Sequence, residues 1–91
     1  MKVFTTIDLN GRECVIHEPD TYAIIRASVS HALHRKEFPD VDLLYYILAE
    51  MLLIDKSKVS IQLFLELNYD DYLMIAEVTN VLFTSISSML K

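Results

Sequence analysis

Residues 2–20, KVFTTIDLNGRECVIHEPD, decide how the rest of the chain must fold. Two runs rich in Val, Ile, Thr and Phe flank Asn10-Gly11, the pair that best tolerates the positive φ a type I′ turn demands at both central positions. That turn predicts a β-hairpin over residues 2–18 in which Leu9 faces Arg12, Ile7 faces Cys14 and Thr5 faces Ile16. Val3, Ile7, Leu9, Cys14 and Ile16 then share an inner face, while Asp8 and Glu13 meet on the outer one. An isolated hairpin is marginal in water, so this one must pack on helices or join a larger sheet. Glu18-Pro19-Asp20-Thr21 ends the strand and opens a helix, because Pro and acidic residues suit the first helical turn.

Beyond the hairpin the pattern turns helical. A first helix is predicted over Asp20–Arg35, with Tyr22, Ile25, Val29, Ala32 and Leu33 at three- and four-residue spacing as its buried stripe. A second, over Val41–Ile54 with Asp40 as its cap, is apolar nearly all round and should be buried nearly all round. Asp55-Lys56-Ser57-Lys58 interrupts. Val59–Leu67 fits a short helix or a strand; its Leu, Gln, Glu and Phe content favours the helix. Asn68 or Asp70 caps a last helix over Asp71–Met89, with Glu77, Asn80, Thr84, Ser87 and Ser88 as its polar stripe. The expectation is an α+β fold, a single domain over residues 1–91, with an N-terminal β-hairpin followed by a small bundle of three to four helices across 20–90.

Composition narrows the function classes. The chain has 91 residues, 53% hydrophobic, with 8 Lys plus Arg against 13 Asp plus Glu and a net charge of −5. No basic cluster is present, which argues against nucleic acid and against an anionic membrane surface. The longest apolar stretch, Leu43–Ile54, holds Glu50 and is far shorter than the ~20 residues that span a bilayer. No signal peptide is read at the N-terminus. One cysteine excludes an intramolecular disulfide and fits a reducing compartment.

No constellation of reactive residues stands out. His31 and His34 share a helix face at metal-ligand spacing, but no third ligand follows, and positively charged His near a helix C-terminus needs no further role. Cys14 lies on the inner face of a strand, where a thiol is inert. Asp70-Asp71 reads as capping, and the single Gly belongs to the turn, so no phosphate loop exists. Tyr45, Tyr46, Tyr69 and Tyr72 are core or, where exposed, contact surface. The expectation is a protein that is not an enzyme and carries no metal or cofactor. Helices two and four together hold more apolar surface than 91 residues can cover, and the surplus implies an interface.

The order of motifs resembles a family. Thr6–Asp20 is similar to the opening of phage tail assembly chaperones of the Mu-like, contractile-tail type, which start with a hairpin of the form L-S-D-G-R-E-V-x-x-R-E-P-T. Leu65–Ile75 is similar to their L-x-x-L-x-x-x-D-Y-x-x-I segment. The resemblance implies a scaffold that binds and shields the apolar helices of the tape measure protein, self-associates, and acts in the host cytoplasm without entering the mature virion. A longer, frameshifted version would recruit the tail tube protein. Tyr46, Met51, Met74, Val78, Leu82 and Met89 are the expected contact residues. The alternatives are a small phage-encoded inhibitor of a host protein, or a structural tail or baseplate subunit.

Overall fold

The computed structural model describes residues 2–89, with side chains through Leu82 and at Thr84. Two strands, β1 (Val3–Leu9) and β2 (Arg12–His17), form the expected hairpin. Asn10 and Gly11 have φ of 55° and 92°, and the register pairs Leu9 with Arg12, Ile7 with Cys14 and Thr5 with Ile16. Asp8 sits opposite Glu13 on the exposed outer face, and its carboxylate accepts the Gly11 N–H at 3.1 Å, tightening the turn. Leu9, Cys14 and Ile16 are fully buried. Val3 departs from the expected inner face. A bulge between Val3 and Thr5 pairs Val3 with His17 and leaves it half exposed.

Four helices follow, α1 (Thr21–Leu33), α2 (Leu43–Glu50), α3 (Ile61–Leu65) and α4 (Tyr69–Met89), and two short strands lie between α2 and α3. Each helix begins at a side chain that satisfies a free N–H. Asp20 accepts from Ala23, Asp42 from Leu44, Ser60 from Leu63 and Asn68 from Asp71, at 2.8–3.2 Å. The α2 cap is therefore Asp42, two residues past the expected Asp40, and α4 uses Asn68 rather than Asp70.

The second helix is shorter than its apolar run. Leu52–Ile54 leaves the helix as strand β3 and pairs antiparallel with β2, Cys14 opposite Ile54 and Ile16 opposite Leu52. The open edge of β2 supplies the reason: its N–H and C=O groups need partners wherever the core covers them. The backbone bond from His17 N–H to Met51 C=O, 2.8 Å, continues that ladder. Asp55 and Lys56, at φ of 50° and 66°, then turn the chain into β4 (Ser57–Lys58). The result is a four-stranded antiparallel sheet in the order β1-β2-β3-β4. Asp55 locks this second turn to the first hairpin: its N–H donates to Glu13 C=O, and its carboxylate accepts the Glu13 N–H.

The core lies between the inner face of the sheet and the helices. Ile47, Leu48 and Met51 at its centre are fully buried, with Leu52, Ile61, Phe64 and Ile75 around them. One buried charge crosses the molecule. Asp71, in the first turn of α4, accepts from Arg12 Nη2 at 2.9 Å and from Asn10 Nδ2 at 3.2 Å. This clamp fastens the hairpin tip to α4, with the Asp71 side chain 2% exposed and that of Arg12 45% exposed.

Candidate functional site

Helix α1 has two apolar sides, and the larger one faces out. Its buried residues are Ala23 and Ala27, with Ile24 and His31 half buried beside them. Small side chains let α1 sit close against its neighbours, and the His31 ring meets Tyr46 edge-on at 5.2 Å. The stripe expected to be buried is on the opposite side. Tyr22, Ile25, Val29 and Leu33 are 65%, 55%, 55% and 75% exposed, and Ala32 is exposed as well. The reason lies in the space available: the sheet and α2 already fill the core, and among the described residues no other element covers the outer side of α1. The sequence signal for this orientation is the Ala23/Ala27 pair, four residues apart, which marks the side able to approach a neighbour most closely.

The flank of the stripe is held by charge. Arg26 Nε donates to Glu50 at 3.1 Å, and its guanidinium lies 4.7 Å from the centre of the Tyr22 ring. The ring and the cation thus fix the N-terminal end of an otherwise uncovered row.

The expected contact residues separate into three groups. Tyr46 and Met51 are corrected: they are 1% and 0% exposed and form part of the core, because they lie on the side of the α2 segment that packs against its neighbours. Burial also holds the Tyr46 hydroxyl above its ordinary pKa, with Glu37 adding to the effect. Met74 is 39% exposed, whereas Val78 and Leu82 are half buried against the core. The Met89 side chain lies outside the described residues. The exposed side of α4 carries Leu73, Met74 and Val81 instead, and its core side runs through Asp71, Ile75 and Thr79. Thr79 is buried without loss because its hydroxyl donates to Ile75 C=O at 2.7 Å.

The other reactive candidates are held apart. His34 lies 3.7 Å from Glu37, too far for a hydrogen bond, and His17 Nδ1 is 3.3 Å from Met51 C=O. Among the described residues no three His, Cys, Asp or Glu side chains gather at metal-binding distance. The Cys14 thiol is pushed up to about 11 by burial, with Asp71 adding to the rise and the Arg12 guanidinium opposing it. Such a thiol is protonated and shielded at neutral pH. A cleft of about 190 Å³ is lined by Ser30, His34, Tyr46 and Glu50. Tyr46 Oη and His34 Nδ1 have no partner among the described residues, but both atoms are closed to solvent, so neither offers that cleft a polar contact.

No family model, curated protein or solved structure matches this chain. The uncovered side of α1 presents a row of four bulky apolar side chains at positions 22, 25, 29 and 33.

Proposed function

We propose that this chain is a non-enzymatic tail assembly chaperone that binds apolar helices of a phage tape measure protein and keeps them from aggregating before the tail tube forms. The observation that carries the reading is the exposed row Tyr22, Ile25, Val29 and Leu33 beside a core that is already filled. The spacing matches what a partner helix needs, since side chains three and four apart form the ridges along which two helices pack. The acidic balance of the chain, −5, keeps a complex with a greasy client in solution. The hairpin and the Leu65–Ile75 segment add the family resemblance. In this reading self-association belongs to the exposed side of α4 at Met74 and Val81, the tail tube protein joins through an extended form, and the chaperone works in the host cytoplasm and leaves before the virion matures.

The test is co-expression with the long, helix-rich tape measure reading frame that should lie beside its gene. The wild-type chain should recover that protein in soluble form. A Val29→Gln/Leu33→Gln variant should fold and lose most of the recovery. Soluble recovery unchanged by that variant would remove α1 from the interface. No recovery by the wild type, or presence of the chain in purified virions, would overturn the chaperone reading.

A further inference from the structure

A second concave surface lies away from the α1 row, and its chemistry is different. The link before α2, the start of α2, the end of α3 and the first turn of α4 enclose a groove of about 390 Å³. Its walls include Asp40, Tyr45, Phe64, Leu65, Tyr69 and Tyr72. The rings of Tyr45, Phe64 and Tyr72 form one cluster, with centroids 6.3 Å apart for Tyr45 and Phe64, 6.4 Å for Tyr45 and Tyr72, and 6.0 Å for Phe64 and Tyr72. Phe64 is buried at the base, whereas Tyr45 is 36% and Tyr69 71% exposed at the rim. Among the described residues no Lys, Arg or His lines the groove. Asp40, itself exposed, is the charged side chain of its lining.

Aromatic faces carry negative potential, and a carboxylate at the same wall adds to it, so such a groove favours a cation with apolar or planar surface. A guanidinium meets both demands, because it stacks flat on a ring and directs a fork of N–H donors at a carboxylate; an ammonium offers a strongly hydrated point charge instead. The geometry points to this groove as a docking site for an arginine side chain of a partner polypeptide, stacked among Tyr45, Tyr69 and Tyr72 and paired with Asp40. The inference goes beyond the chaperone reading and stands without it.

The experiment is a nuclear magnetic resonance titration of the whole chain with the capped tripeptide Ac-Gly-Arg-Gly-NH2. Its citrulline analogue, which keeps the shape but loses the charge, and its lysine analogue serve as comparisons. The arginine peptide should move the ring signals of Tyr69 and Tyr72 saturably at millimolar concentration, with the citrulline and lysine peptides at least fivefold weaker. Asp40→Asn and Tyr69→Leu, both at exposed positions, should each weaken the arginine peptide at least threefold while the melting temperature holds. Equal binding of arginine and citrulline peptides would reduce the groove to an apolar surface and overturn the inference. Lysine binding as tight as arginine would overturn the guanidinium assignment, and an absence of saturable shifts, or shifts centred elsewhere, would overturn the site.

Discussion

Helices α1 and α2 are both rich in apolar residues, yet α2 buries Tyr46 to Ala49 in the core and α1 turns its bulkiest row outward. Ile47 and Leu48 are fully buried, whereas Val29 and Leu33 are more than half exposed. Hydrophobicity alone therefore does not place a helix. What separates the two is position in the stack: α2 runs straight into β3 and is held against the sheet by that strand, while α1 has only one neighbouring layer and meets it through alanines. The same composition stabilises the fold in one helix and leaves free binding surface in the other.

Substitution at the two places should separate these roles most sharply. Leu48→Ala is expected to lower unfolding free energy by about 3 kcal/mol, since it removes buried methyl groups and leaves a cavity in a filled core. Chemical denaturation measures this, and a loss under about 1 kcal/mol would mean that the core around α2 is loosely packed. A second large effect belongs to the clamp between hairpin and α4. Arg12→Met should cost about 2 kcal/mol, because the carboxylate of Asp71 stays buried with Asn10 as its remaining cross-chain partner. Asp71→Asn should cost less, since the half-exposed Arg12 can return to water. Equal losses in the two variants would show that the carboxylate is hydrated in solution.

The buried face of the sheet has a pH signature of its own, at Cys14. Cys14 ionises at about 11 in the folded chain and nearer 8.5 when unfolded, so folding favours its protonated form. Its contribution is whole below about pH 8.5 and is lost as pH rises through 11. Stability of the wild type should fall more steeply across that window than stability of Cys14→Ala, and parallel curves would show that the thiol is not shielded.

The two reverse turns make a smaller contrast. Gly11→Val should destabilise by over about 1 kcal/mol through its positive φ alone, since open space surrounds a Cβ there. Lys56, at φ 66°, holds a left-handed conformation without being glycine, so Lys56→Gly should stabilise by about 0.5 kcal/mol. Melting curves distinguish the two signs. The smallest effect on stability is expected on the outward side of α1, where Val29→Gln/Leu33→Gln should change unfolding free energy by less than about 0.5 kcal/mol. A larger loss would mean that this row is covered in the free protein, by a second copy of the chain.

Local chemistry was legible in the residues themselves. Asn10-Gly11 dictated a hairpin and its register, because so few pairs accept positive φ twice in succession, and Asp20 and the Asn68/Asp70 pair marked where helices start because short polar side chains carry oxygens that reach free N–H groups within one turn. The short α3 followed from composition and the α+β class from the order of these elements. Interactions between distant segments were not legible. Nothing near Leu52–Ile54 distinguishes a helix end from a strand; the open edge of β2, some forty residues earlier, makes the choice. Asp71 reads as an ordinary helix-start residue until the fold brings Arg12 and Asn10 to it. The two apolar sides of α1 could each have met the core, and the apolar pattern of the sequence points to α2 and α4, not α1, as the source of surplus surface. The packed structure chose the alanine side because close approach needs small side chains, and with the core already full the row from Tyr22 to Leu33 was left facing outward.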